Sequence, residues 1–251
     1  RPELAIGSFY EPMATPGSVA LATSFAACHW LSRAIAPYSP ETVWFADLEG
    51  NAREEMSALA RADWTRFLRQ RAIELRSGGY MVASTLGSIE DAGENNGIKS
   101  SARRLYRTIH AVAQAMVDDG LLQQSALDHF IFSLWFPTER EVREPIETEP
   151  DLAEAFEIVA AGVEPAPVNP GDVYADEIGN PEEYGKLYAG YVRGFGESSL
   201  RLHLFARSTP DPAAIDALNE EFFRRLARHY RDAPGRHASE TWIMTVVLRR
   251  R

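Results

Sequence analysis

The stretch "SALARADWTRFLRQRAIELRSGGYMVASTL", residues 57–86, holds two periodicities in succession. Trp64, Phe67, Leu68, Ala72 and Leu75 recur at helical spacing on one face, and Gly78 with Gly79 supplies a stop. "YMVASTL" (80–86) then reads as a sheet strand. Upstream, "SVALATS" (18–24) follows a Pro-Gly turn and reads as a buried strand, with "FAACHWLSRAI" (25–35) expected as a helix behind it. A strand, an amphipathic helix and a second strand make a parallel crossover. The first third of the chain is therefore expected to form half of a doubly wound α/β sheet.

The alternation then breaks. "IEDAGENNGIKSS" (89–101) reads as a polar loop and "ARRLYRTIHAVAQAMVDDGLL" (102–122) as a helix ending at Gly120. The threonine and acidic signals of "FPTEREVREPIE" (136–147) open another helix, and "FEIVAAGVEP" (156–165) returns as a strand. "KLYAGYVRGFGESSLRLHLF" (186–205) reads as a gapped helix after a further loop. Asp211 and Pro212 cap a helix with Ile215, Leu218, Phe222, Leu226 and Tyr230 along one stripe, and "TWIMTVVLRRR" closes the chain as a strand. The expected organisation is a core at 1–90, a helical cap at 91–150 and 171–210, a return strand within 151–170, and a final core helix and edge strand at 211–251. Insertions of this kind roof a ligand pocket at the strand ends.

Composition narrows the function. At 251 residues the chain can bury a full core, and 26 basic against 36 acidic side chains leave a net charge of −10. That charge repels a phosphate backbone and an anionic membrane surface alike, so neither nucleic acid nor a membrane is an expected partner. Cys28 is the one cysteine, which rules out an internal disulfide and a cysteine-based zinc site and makes a reducing cytoplasm the simplest home. No run reaches the roughly 18 apolar residues of a membrane span, and the histidines lack zinc-site spacing, so no metal is expected. The chain opens on Arg1 and enters structured-looking sequence at once, which reads as a missing upstream portion.

"GSFY" (7–10), "HWLS" (29–32), "DWTRFLRQRAIELRSGGYMV" (63–82), "GLL" (120–122) leading to "FPTEREV" (136–142), and "GYVRGF" (190–195) occur in this order. The set resembles the SABATH family of S-adenosylmethionine-dependent carboxyl methyltransferases, in a bacterial-type member. The resemblance implies a class I methyltransferase (Rossmann-like) sheet with an α-helical cap formed by insertions, S-adenosyl-L-methionine as cofactor with S-adenosyl-L-homocysteine as product, and commonly a homodimer. It also implies an acidic, glycine-rich cofactor turn ahead of the GSFY block. No such turn occurs in the 251 residues, so the N-terminal cofactor-binding segment is expected to be missing.

Carried over block by block, the resemblance assigns Ser8, Phe9, Tyr10 and Ser24 to the cofactor. It assigns Trp30, His29, Phe25, Leu86, Tyr106, Trp135, Val192 and Phe195 to the acceptor pocket. Trp30 is implied as the indole N–H donor to the acceptor carboxylate, a role that orients an oxygen without a competing charge. Each of these rings could instead fill a core, and Cys28 reads as a small apolar filler. Plant relatives carry a Ser-Tyr pair before the tryptophan where this chain has Phe25 and Ala26, so salicylate itself is not implied.

The implied reaction is attack of a carboxylate oxygen on a sulfonium methyl, giving a methyl ester of a small, largely apolar acid. A carboxylic acid with a reference pKa of about 4 arrives ionised, so no catalytic base is expected. Two other readings stand beside it. One is a non-catalytic small-acid binder or partner subunit, and the other an N-methyltransferase of purine-like substrates.

Overall fold

The computed structural model describes residues 6–251 and places one mixed sheet beside a helical cap. Strand β1 (Val19–Phe25) runs parallel to β2 (Leu75–Leu86), with helix α1 (Gly50–Glu74) as the crossover, as the sequence led us to expect. β2 then pairs antiparallel with β6 (Trp242–Arg250), and β6 antiparallel with β5 (Phe156–Pro165), giving the order β1-β2-β6-β5, so the chain's last strand is interior and not the expected edge. β1, expected from its apolar run to be buried, is instead an edge, paired along one side among the described residues, with Leu21 59% and Phe25 65% exposed.

Gly78 and Gly79 do not stop the helix. α1 ends at Glu74 and β2 starts at the next residue, so the two glycines lie inside the strand. There the β1–β2 register slips between Val19 and Leu21, and Gly78 adopts φ +75°. A Cβ on Gly79 would sit 3.1 Å from the carbonyl oxygens of both Val19 and Ala20, so glycine is what lets the neighbouring strand come this close.

Alternation along the strands sorts the sheet into two faces. Met81, Ala83, Met244, Val246 and Leu248 are buried against Phe67 and Leu68 of α1, Val142 and Ile146 of α4 (Glu139–Thr148), and Leu152 of α5 (Pro150–Ala155). Thr138 caps α4: its side chain accepts from Glu141 N, and the Glu141 carboxylate accepts from Thr138 N at 2.8 Å.

A second, larger core is aromatic. It joins α2 (Arg103–Asp118), α3 (Gln124–Leu127), α6 (Pro181–Leu200) and α8 (Pro212–Asp232) to the segments 43–48 and 130–136. Trp44 stacks on Tyr106 at 3.8 Å and 4°, and Tyr188 on Tyr230 at 4.0 Å and 3°. α6 continues through a wide turn at Arg201–Phe205 into the short α7 (Ala206–Ser208), the interruption expected of a gapped helix. α8 packs on α6 and α2. Asp172 is buried between the Tyr184 and Tyr188 hydroxyls at 2.8 and 2.6 Å, and those oxygens accept from Gly235 N and Ser239 N. Burial and the Asp172 charge push the Tyr184 phenol up to about 12.

Two local expectations fail. The polar loop after β2 contains a small hairpin, β3 (Ser88–Glu90) with β4 (Ile98–Ser100), turned at Asn96 and Gly97, both with positive φ. Residues 25–35 are not a helix. Ala26 takes φ +50°, the chain turns at residues 27–30, and residues 29–31 lie against a distant segment, with Leu31 N donating to Ser133 O at 3.0 Å and Trp135 N to His29 O at 2.8 Å. Pairing partners over 100 residues away override the local helical signal.

Candidate functional site

The loop 26–32 leaves the carboxyl end of β1 beside the carboxyl end of β2, where open α/β sheets receive ligands. It is held from several sides. Ala26 N donates to Ser84 O at 2.9 Å, the Tyr10 hydroxyl donates to the Trp30 carbonyl, and Ser32 N donates to the buried Asp63 carboxylate at 2.7 Å. Ser24 Oγ and Cys28 Sγ lie 3.0 Å apart. These bonds draw Tyr10, Ser24, His29 and Trp30 to one place.

The paired segments 29–31 and 133–135 form a short two-stranded ribbon, with Trp30 directly opposite Leu134. Side chains alternate across such a ribbon. Trp30 therefore points to one side, and Leu31 and Trp135 to the other, where both line a cavity of about 280 Å³. Thr85 of β2 faces this cavity, and the strand's alternation turns Leu86 away from it. Cys28 and Tyr10 also line it.

Trp30 is half-buried against the aromatic core, and no described residue accepts from its indole N–H. The donor is not a sealed orphan, since the buried unpaired indole nitrogens are those of Trp44 and Trp242. It is free to meet an acceptor from outside. His29 Nδ1 lies 2.5 Å from Thr85 Oγ1, and burial lowers its pKa to about 4, so the ring is neutral near pH 7. Burial pushes the Tyr10 phenol and the Cys28 thiol up, so both stay protonated. The loop thus presents neutral donors and no charged base.

The other residues singled out from the sequence are dispersed. Ser8 is exposed, its Oγ accepting from Tyr10 N at 3.3 Å, and Phe9 is half-buried with its ring 4.4 Å from that of Tyr10. Phe25 stands exposed at the end of β1. Tyr106 and Val192 are sealed in the aromatic core, while Leu86 and Phe195 pack on its margin, the latter 6.0 Å from Tyr106 between ring centroids.

Several contributors carried no recognisable signal. Asp63, Arg71 and Glu74 on α1 are buried charges in what reads as a solvent-facing helix surface, and Trp44 supplies the flat partner of Tyr106. Among the described residues, no group of three or more His, Cys, Asp or Glu side chains is placed to hold a metal ion, and no helix is long and apolar enough to cross a membrane.

Comparison with known proteins agrees with this architecture. Anthranilate O-methyltransferase 3 of Zea mays is 27% identical over 246 residues, covering 92% of this chain and 59% of the relative. Salicylate/benzoate carboxyl methyltransferase of Arabidopsis thaliana is 25% identical over 237 residues, covering 90% and 55%. The solved structure of a loganic acid methyltransferase with S-adenosylhomocysteine superimposes with a TM-score of 0.70 at 20% identity, over 98% of this chain and 65% of that one. The chain thus spans less than two thirds of the length of each. The family model described as SAM dependent carboxyl methyltransferase matches residues 4–251. With its mixed sheet, helical cap and strand-end loop, this chain belongs to the family of SAM-dependent carboxyl methyltransferases.

Proposed function

We propose that the protein transfers a methyl group from S-adenosyl-L-methionine to the carboxylate of a small, largely apolar acid, giving the methyl ester. The observation that carries this reading is the Trp30 N–H, without an acceptor among the described residues, beside the carboxyl ends of the parallel strand pair.

The residues present fit one flank of an adenosyl group. Ser8 offers an exposed hydroxyl, Phe9 a partly open ring for stacking, and Ser24 a hydroxyl at the end of β1. When bound, the cofactor supplies an electrophilic methyl group with S-adenosylhomocysteine as its leaving group. The chain's own task is placement. Trp30 donates to one oxygen of an acid that is already ionised, so the absence of a charged base at the loop is no obstacle. Holding the reacting atoms in line can supply about 7 to 11 kcal/mol of the barrier. Tyr10 contributes indirectly, by fixing the Trp30 carbonyl.

A cytoplasmic setting accords with the single free thiol, and a homodimer is part of the same reading. A non-catalytic binder and an N-methyltransferase are its competitors. The test is the full-length gene product with methyl-labelled cofactor and a panel of acids and purine-like amines. Methyl esters identified by mass support the proposal. Label transferred only to nitrogen, or tight S-adenosylhomocysteine binding with no transfer to any acid, overturns it.

A further inference from the structure

The cavity beneath α1 and α4 lies on the side of the ribbon opposite the Trp30 indole, and it shares Tyr10, Cys28 and Trp135 with the surroundings of the loop that carries that indole. Its volume of about 280 Å³ is at the small end for ligand sites, enough for a single ring with one substituent. Ala83, Met244 and Val246 of the sheet give it an apolar floor. Trp64 and Trp135 give it aromatic walls, and because Trp64 Nε1 donates to Val142 O at 3.1 Å, that residue offers the cavity only its ring.

One arginine in the lining, Arg53, forms no ion-pair contact among the described residues, although the Glu141 carboxylate of the same lining acts on it electrostatically. The Arg53 guanidinium uses Nη1 to donate to the Phe45 carbonyl at 2.9 Å and lies 5.2 Å from the Trp135 ring centroid, and no ion pair to a described carboxylate engages it. The other arginines around the cavity are matched, Arg61 with Glu149 at 3.2 Å and Glu144 at 3.5 Å, and Arg140 with Glu90 at 2.7 Å. Glu141, also in the lining, directs Oε2 to the Thr138 N–H and hydroxyl at 2.8 and 3.2 Å. Ser57 adds a hydroxyl with no partner among the described residues.

A guanidinium carries five N–H donors in a planar fork that matches a carboxylate, and here most of that fork is unused. An inorganic anion would need polar partners all round, which this floor does not offer. We infer that the cavity is a second binding site for a small apolar carboxylate, with the acid group on Arg53 and the hydrocarbon body between Trp64 and Met244. The ribbon is the common wall of this site and the Trp30 face, so an occupant touching Leu31 and Trp135 bears on the backbone that sets the indole.

The test is ¹⁹F NMR titration of the full-length protein with 4-fluorobenzoate, with 4-fluorobenzamide as the uncharged control and no cofactor present. Because no turnover is read, the outcome is independent of the proposed activity. Saturable benzoate binding should persist in Trp30→Phe. In the Trp30→Phe background, where the face proposed for methyl transfer has lost its donor, it should weaken about tenfold or more on adding Arg53→Gln, the loss expected for a charge-assisted hydrogen bond. Ser57→Phe, which fills the cavity from its wall and leaves Arg53 in place, should also block it, with thermal unfolding confirming that each variant folds. The inference is overturned if both cavity variants bind as tightly as the parent, if Trp30→Phe alone removes all saturable binding, if benzamide binds equally well, or if the parent shows no saturation by about 10 mM.

Discussion

Arg71 and Glu74 form a buried ion pair one turn apart on α1, and their remaining hydrogen bonds hold the GSFY segment. Arg71 Nη2 donates to Glu74 Oε1 at 2.9 Å, while Nε lies 2.8 Å from Oε2 but off the line of its N–H. Glu74 Oε1 also accepts from Ala14 N at 3.1 Å, and Arg71 donates to the carbonyls of Phe9 and Glu11 at 3.2 and 3.1 Å. Glu74→Ala leaves a buried guanidinium without its counter-charge, which typically costs about 3 to 5 kcal/mol. Urea unfolding midpoints measure it, and a loss below about 1 kcal/mol, the range of ordinary surface changes, would contradict the burial described here.

Trp30→Phe separates a site role from a packing role. The indole N–H has no partner among the described residues, so the stability change should come only from the smaller ring's packing against the aromatic core, about 1 kcal/mol. If Trp30 plays the proposed role, losing its hydrogen bond to a carboxylate should lower methyl transfer by roughly 10- to 150-fold, from about 1.5 to 3 kcal/mol. Parallel thermal melts and turnover assays would show the split. Unchanged turnover would remove Trp30 from the reaction.

His29 should make stability depend on acid. Its folded pKa of about 4 lies below the ordinary 6.5, so the unfolded chain binds more protons between those values. The contribution is complete above about pH 6.5 and falls as the pH drops toward about 4, by roughly 3 kcal/mol in all. His29→Gln, which cannot titrate, should flatten this slope in denaturant titrations run at stepped pH. A slope that persists in the variant assigns the effect to other groups.

Gly185 sits where α6 meets α8. A Cβ there would fall 2.4 Å from the Ala227 carbonyl oxygen and 3.0 Å from the Arg231 Cβ, and neither backbone can yield without parting the helices. Gly185→Ala should therefore destabilise the cap by about 1 to 3 kcal/mol, although alanine is the better helix former. A melt at or above the parent's would show that the crossing is looser than drawn here.

Much of the fold was legible in the sequence. "FEIVAAGVEP" matches β5 residue for residue, and the apolar stripe from Ile215 to Tyr230 lies within α8 behind its Asp211 cap. What stayed hidden depends on distant partners. The stretch 25–35 has a helix-like composition, and its residues 29–31 form a ribbon because residues 133–135 lie alongside them. That pairing also turns Trp135 away from Trp30, which no linear pattern announces. Asp63, Arg71 and Glu74 look like solvent-facing helix charges until the loops they hold are in place. The Asn96–Gly97 turn is different, because Asn-Gly is a strong local hairpin signal even within a polar loop.

The outer margin of β1 sets how this span behaves in the test tube. A strand bonded along one side among the described residues, with Leu21 and Phe25 turned outward, is a template onto which a foreign strand can crystallise, chain upon chain. Concentrated solutions of residues 1–251 should therefore scatter light increasingly with time. A single lysine at position 21 (Leu21→Lys) should delay that clouding while leaving the circular dichroism spectrum unchanged.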